Sequence, residues 1–287
     1  MTDLRQLATE QSNPRSRNLD RVSTARLLRI INAEDQSVPG TVRRCIPHIE
    51  EAVNAVYPRM QSGGRLYYIG AGTSGRLGCL DASEMPPTYG VPQDMVQGLM
   101  AGGFEALIKS REGAEDDGPA GRRDIRTHKI SRRDAVIGLS ASGRARYVRD
   151  ALQEARRRGA FTACITSNPN SELIPLADVA IVARTGPEVV TGSTRMKAGT
   201  AQKLILNMFS TAIMVRLGRV QGNRMLDLQI KCEKLLERAR NLVMDATHTT
   251  EQEASQALRR ADGSVRDAIA ELSSRPKSSR ARRSKAG

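Results

Sequence analysis

Residues 65–84, RLYYIGAGTSGRLGCLDASE, restrict the fold more than any other stretch of the chain. Leu66 to Ile69 is an apolar run of the kind that parallel sheets bury on both faces. It runs into Gly70, Gly72, Thr73, Ser74 and Gly75, small residues suited to a tight turn. A helical pattern follows and is predicted to end near Glu84, because Pro86 and Pro87 come next. A strand, a Gly/Ser/Thr turn and a helix N-terminus together make a ready anion site. Backbone N–H groups and hydroxyls point at the anion, and the helix dipole favours negative charge.

The same unit recurs further on. Ala135 to Leu139 reads as a buried strand, Ser140, Ala141, Ser142 and Gly143 as its exit turn, and 144–158 as a helix stopped by Gly159. Phe161 to Thr166 and Val179 to Ala183 read as two more strands, and Val91 to Gly102 as a short strand and turn before a short helix at 104–109. Strand–helix alternation predicts an α/β fold with a parallel β-sheet flanked by helices, its ligand at the carboxyl ends of the strands. Upstream, residues 1–22 read as a polar, extended arm. Ser23 caps a helix with an apolar face of Leu27, Leu28, Ile30 and Ile31, and Pro39 and Gly40 are predicted to interrupt before a second helix through Val42, Ile46, Ile49 and Val53 to about Gln61.

Downstream, residues 186–203 read as a polar loop entering a helix near Thr194 that buries Leu204, Ile205, Met208, Ile213 and Leu217. Residues 225–243 read as a further helix. Thr247 to Leu272 read as short helices turning at Asp262-Gly263, with Val265, Ala268, Ile269 and Leu272 as an apolar face. The expected organisation is an N-terminal arm and helices (1–55), a sheet domain (56–219), a small C-terminal helical module resembling a ubiquitin-associated (UBA) fold (220–273) and a basic tail (274–287).

Charge narrows the partner. The net charge is +14 over 287 residues, and part of it sits in the tail at Arg275, Lys277, Arg280, Arg282, Arg283 and Lys285. The remainder suits an anionic partner, a nucleic acid or a phosphorylated metabolite. Aromatics make up 3% and Trp is absent, which weakens a stacking-based nucleic-acid reading, and no nucleic acid is expected as a partner. Cys45, Cys79, Cys164 and Cys232 form no CxxC pair, and His48, His128 and His248 show no ligand spacing. Neither a disulfide framework nor a metal site is expected. No apolar run approaches the ~20 residues of a membrane span, and the first residues lack an apolar signal core, so cytoplasmic location is the default.

GAGTSG at 70–75 fits part of a dinucleotide fingerprint, yet no acidic residue ends a second strand in the right context. Thr73 and Ser74 favour a phosphate monoester over a pyrophosphate. SASG at 140–143 is a second hydroxyl-rich turn, and two such turns suit a dianionic phosphate. No GxSxG elbow or spaced His makes Ser74 or Ser142 a nucleophile. Two carboxylates stand out. Glu84 lies in an apolar setting, Ala82-Ser83 before it and Met85-Pro86-Pro87 after it, which predicts a raised pKa. Glu115 lies in REGAEDDG (111–118), where a solvated acidic loop is the plain alternative. Together they could form an acid/base pair.

These residues resemble the N-acetylmuramic acid 6-phosphate etherase family. The resemblance rests on GAGTSGRLG and DASE-x-PP (70–87), EGAEDD (112–117), SASGR (140–144) and GPEVVTGSTRMKAGTAQKLILNMFS (186–210), within about Leu7 to Leu272. The last stretch is shared with glucokinase regulatory proteins; the DASE and EGAEDD segments argue for the etherases. The resemblance implies a sugar isomerase (SIS) domain and conversion of N-acetylmuramic acid 6-phosphate and water to N-acetylglucosamine 6-phosphate and D-lactate, without a metal or redox cofactor. Glu115 matches the base that removes the C2 proton, and Glu84 the acid that protonates the lactyl oxygen. Ser140, Ser142 and Gly143, with Thr73 and Ser74, would hold the phosphate. Ser193, Thr194 and Lys197 match the sugar-phosphate loop, and Glu188 a polar active-site residue. Arg76, Arg195 and Lys197 are candidates for the lactyl carboxylate. A homodimer with sites near the interface is implied. Where the family commonly carries a Thr-Pro-like step, this chain has Ala145-Arg146. The competing readings are a non-catalytic sugar-phosphate-binding regulator and an SIS-type transcriptional regulator. Glu84 and Glu115 argue against the first, and the lack of a three-helix DNA-binding pattern in residues 1–60 against the second.

Overall fold

The computed structural model describes residues 7–226 and 233–274. Strands β1 (Leu66–Gly70), β2 (Val96–Met100), β3 (Ala135–Leu139), β4 (Phe161–Thr166) and β5 (Val179–Val182) form one parallel sheet in the order β2-β1-β3-β4-β5. β1, β3 and β4 are buried at every position, as their unbroken apolar runs require. Gly70 pairs with Met100 on one side and with Leu139 on the other, so three strands finish level and their exit loops start together. The strand order reverses between β1 and β3, which opens a crevice at their carboxyl ends.

Helices α1 (Thr24–Asp35), α2 (Ser37–Arg43), α3 (Ile46–Gln61), α4 (Gly72–Tyr89), α5 (Glu105–Ile108), α6 (Gly118–Thr127), α7 (Arg146–Arg157) and α8 (Lys197–Arg216) accompany the sheet. Strand parity divides the two faces. Tyr67, Ile69, Val136 and Cys164 share a core with Ile125 of α6 and with Tyr147, Val148 and Leu152 of α7. On the other face α4 crosses Tyr68 and Leu139 at Gly78, and Arg59 of α3 lies over the Phe161 ring.

Several expectations change. α4 does not end at Glu84 but runs through Pro86 and Pro87 to Tyr89. Two prolines remove only two amide donors, Met85 and Tyr89 are buried, and Gly90 N–H closes the last turn on Pro86 O at 3.0 Å. Pro39 and Gly40 lie inside α2 rather than breaking the chain there. Pro39 sits in the first turn, where its missing N–H has no helical partner to lose. α8 starts at Lys197, not near Thr194, and Met208 is exposed, while Leu206, Phe209 and Met214 are buried with Ile205 and Ile213. Residues 7–22 are no loose arm: they form three 3-10 turns (Ala8–Glu10, Pro14–Ser16, Leu19–Arg21), and Leu7, Thr9 and Asn13 are buried.

The described residues fall into two compact units, one of residues up to 84 with 92–217, and one of 85–91 with 218 onward. The second contains a short antiparallel pair, β6 (Val220–Gln221) and β7 (Arg224–Met225), and α9 (Glu233–Thr247), α10 (Glu251–Arg260) and α11 (Val265–Ser274). The three helices enclose their own core of Ala239, Val243, Leu258, Val265, Ala268 and Leu272. The expected turn at Asp262-Gly263 is present, both residues at positive φ. The basic tail from Arg275 and residues 227–232 of the expected 225–243 helix lie outside the described residues.

Candidate active site

The turn after β1 is made by two glycines back to back. A Cβ on Gly70 would stand 2.6 Å from Gly75 N, and one on Gly75 would stand 2.7 Å from Gly70 O. This close approach swings the chain from strand into α4, whose first-turn amides lack helical acceptors. Ser74 is buried there and Thr73 half-buried. The turn after β3 stands across the crevice. Ser140 Oγ accepts from Gly143 N at 3.1 Å and Ser142 Oγ from Arg144 N at 3.4 Å, so each hydroxyl proton remains to be donated. The loop after β4 braces this turn: Asn168 Nδ2 donates to Ser142 O at 3.1 Å, and Ser171 Oγ to Gly143 O at 3.3 Å. Gly143 has φ +74°, and a Cβ on it would fall 1.9 Å from Ser171 Oγ.

Glu115 sits in a 3-10 turn, Ala114–Asp116, entered through Gly113 at φ +72°. With Gly72, Arg76, Met100, Arg111 and Glu112 it lines a cavity of about 190 Å³. Glu115 is exposed by area, yet partial burial of its carboxyl, then the charges of Asp116 and Glu112, push its pKa above the ordinary 4.5. Arg76, also lining the cavity, donates to Leu107 O at 3.0 Å and Ala106 O at 2.8 Å.

The 186–198 segment is closed on itself. Glu188, fully buried, accepts from Lys197 N and Ala198 N, both at 2.9 Å, and so caps α8. Burial raises its pKa against those two bonds and the Lys197 charge. Lys197 Nζ, 3% exposed, donates to Glu34 Oε2 at 2.6 Å. Asn13 Nδ2 donates to the same oxygen at 2.9 Å, and Arg15 pairs with Glu34 Oε1 at 3.2 Å. Burial pushes Glu34 up, and the Lys197 and Asn13 bonds with the Lys197 and Arg15 charges outweigh it, leaving its pKa lowered. Ser16 Oγ donates to Val189 O at 2.7 Å, and Gly192 N to Thr9 O at 3.2 Å. The N-terminal turns therefore strap this loop in place.

Among the expected site residues, Thr73, Ser74, Ser140, Ser142 and Gly143 gather at the crevice between β1 and β3. Thr194 joins them: a Cβ on Gly199 would lie 3.3 Å from Thr194 O and 3.4 Å from Thr73 Cγ2. Ser193 is half-buried beside it, and Arg195 is exposed. Glu115 opens into the cavity beside Gly72. Glu188 and Lys197 face inward, each already bonded. Glu84 stands apart, about 18 Å down α4 from Gly72 at 1.5 Å per residue, and it is exposed rather than set among apolar neighbours. In its place Asp81, one turn earlier, is the buried carboxylate. It accepts from Ser210 Oγ at 3.1 Å and Asn207 Nδ2 at 3.4 Å, the buried Tyr68 hydroxyl lies against it, and burial raises its pKa to about 6. Arg111, Glu34, Asn13 and Asp81 escaped the sequence reading. Only Asp81 carried a signal, an acid at core spacing on a helix.

Among the described residues no group of three His, Cys, Asp or Glu is arranged to hold a metal ion, and no helix is long and apolar enough to cross a membrane. Residues 48–156 match the glucokinase regulatory protein N-terminal SIS domain, and residues 123–212 the SIS domain. The chain is 52% identical over 270 residues to an N-acetylmuramic acid 6-phosphate etherase of Symbiobacterium thermophilum, covering 94% of this chain and 90% of that protein. It is 50% identical over 266 residues to one of Oceanobacillus iheyensis, covering 93% and 90%. Among solved structures it is similar to a phosphoheptose isomerase of Neisseria gonorrhoeae, with a TM-score of 0.51 at 14% identity, over 67% of this chain and 98% of that one. That likeness bears on the fold alone.

Proposed function

This chain belongs to the N-acetylmuramic acid 6-phosphate etherase family, and from that membership we propose that it cleaves the D-lactyl ether of N-acetylmuramic acid 6-phosphate, giving N-acetylglucosamine 6-phosphate and D-lactate in the recycling of cell-wall amino sugars. The observation that carries the reading is Glu115, a carboxylate of raised pKa opening beside the amino end of α4. In the open-chain sugar the aldehyde acidifies C2–H. The Glu115 carboxylate takes that proton, and the electron pair forms the C2=C3 bond as the C3–O bond breaks. Glu84 delivers a proton to the departing lactyl oxygen. Water then adds at C3 and a proton returns to C2, the two carboxyls exchanging roles. Each transfer contributes ~10²–10⁴-fold.

The phosphate rests on Ser140, Ser142 and Gly143, with Thr73 and Ser74 facing it and Ser193 and Thr194 at its rim. Glu188 and Lys197 serve this site from behind, by fixing the loop that carries Ser193 and Thr194. Glu84 reaches a site across a homodimer. Its position far along α4 supports this, and so does exposed Leu80, on the same helical face one turn earlier. In this reading the protein works in the cytoplasm on a small sugar phosphate, residues 56–219 form the sugar-phosphate domain, and 220–273 form a UBA-like module.

The test is lactate release from N-acetylmuramic acid 6-phosphate by the purified protein, with deuterium from solvent entering at C2. Binding without lactate would leave only the sugar-phosphate-binding role. Mixing Glu84→Gln and Glu115→Gln subunits distinguishes the two placements of Glu84. A site shared between subunits regains part of the activity in the mixed dimer, and a site within one subunit stays inactive.

A further inference from the structure

The geometry points to Arg111 as the residue that reads the lactyl carboxylate and so sets specificity for an acidic ether. This rests on the etherase reading above. The carboxylate carbon is four bonds from C2, so its cation must lie within about 5 Å of the atom that Glu115 deprotonates, plus one hydrogen bond. The cations lining the Glu115 cavity are Arg76 and Arg111. Arg76 is spent on Ala106 O and Leu107 O, both at normal hydrogen-bond length. Arg195 does not line the cavity, and Lys197 is buried on Glu34.

Arg111 is differently placed. Its stem lies over Gly102, where a Cβ would meet Arg111 Cδ at 3.1 Å, and its Nη1 reaches Gly102 O at only 3.4 Å. It also lines a second, adjoining cavity of about 430 Å³ with Asp117, Arg123 and Tyr147. The guanidinium thus stands at the boundary between the two spaces, weakly held and open to solvent. A carboxylate entering beside Glu115 can displace that long bond and take two parallel N–H donors from the planar fork. The negative wall of Glu112 and Glu115 would otherwise repel it.

The experiment compares N-acetylmuramic acid 6-phosphate with its lactamide analogue, in which the carboxylate is a neutral amide. The wild-type protein should prefer the acid by about 10- to 100-fold in kcat/KM, the range of a charge-assisted bond to one cation. Arg111→Met should abolish the preference by lowering kcat/KM for the acid alone. Arg111→Lys should keep part of it, through charge without the fork. Inhibition by N-acetylglucosamine 6-phosphate, which has no lactyl group, should be unchanged in Arg111→Met and so reports an intact sugar-phosphate site. If Arg111→Met retains the wild-type preference for the acid, the assignment of Arg111 is overturned while the etherase reading stands. If the wild-type protein releases no lactate, the etherase reading fails and this proposal with it.

Discussion

Two segments, 112–117 and 186–198, are equally conspicuous in the amino-acid order and have opposite fates in the fold. Around Glu115 two of the acids are left open: a left-handed glycine and a single 3-10 turn present Glu112 and Glu115 to a cavity without pairing Glu115 to any cation, while Asp117 caps α6 through Ala120 N. In 186–198 the two buried charges, Glu188 and Lys197, are bonded inward, while Arg195 stays exposed. Glu188 caps a helix, and Lys197 meets Glu34 beneath the N-terminal turns. The difference teaches that a polar residue type marks a place but does not say whether it serves a ligand or the fold. A carboxylate that must take a proton has to be left without a fixed cation, because a cation would lower its pKa. A loop that must hold two hydroxyls instead has its buried charges tied into the fold.

The most severe break is Glu115→Gln. Lactate release and deuterium entry at C2 should fall by about 10²–10⁴-fold, with the urea midpoint unchanged, since the residue supports no other group. In the wild-type protein the acid limb of kcat/KM should lie above pH 4.5, because Glu115 must be ionised to act and its pKa is raised.

The second break falls on the closed segment. Lys197→Met leaves Glu34 buried without its nearest cation and should cost about 3–4 kcal/mol in urea unfolding. Replacing Glu34 by Leu as well should recover much of that, since two apolar groups leave no uncompensated charge. A loss of lactate release by Lys197→Met with full stability would instead put its ammonium on the substrate and erase the contrast.

Gly143→Ala tests the hydroxyl turn between these extremes. Its φ of +74° and the Ser171 Oγ at 1.9 Å from a new Cβ predict a cost of about 2–3 kcal/mol and a raised KM. The smallest effect belongs to Asp81, buried like Glu34 but held by Ser210 and Asn207 in place of a lysine. Its pKa of about 6 against an ordinary 3.8 means that the native state holds the extra proton. That contribution is complete below pH 3.8 and disappears as pH rises through about 6. Asp81→Asn should therefore flatten the stability profile across this window. A profile unchanged by the substitution would mean that Asp81 is solvated in the native state.

Much of the sheet was legible. The runs at 135–139 and 161–166 became strands at those bounds, and the run at 66–69 was one residue short, because burial on both faces leaves an uninterrupted apolar signature. Helix limits are less legible where proline reads as a stop. Pro39 lies in a first turn that needs no amide from it, and Pro86-Pro87 lie where buried Met85 and Tyr89 hold the helix through the gap. The hydroxyl turns were legible because small residues and strand ends recur in order. The Lys197–Glu34 pair was not: its members are 163 positions apart, and no local pattern links them.

The sequence by itself determined the strands, the two glycine–hydroxyl turns and the presence of unusual acids at 84 and 115, since each depends on neighbours within a few residues. The tertiary structure alone decided that the turns face each other at the reversal of strand order, that Lys197 is bonded away, and that Asp81 is buried while Glu84 is exposed. The physical reason is range. Backbone preferences and apolar periodicity act over one or two turns of chain, whereas ion pairing and burial depend on which distant segments the sheet brings together.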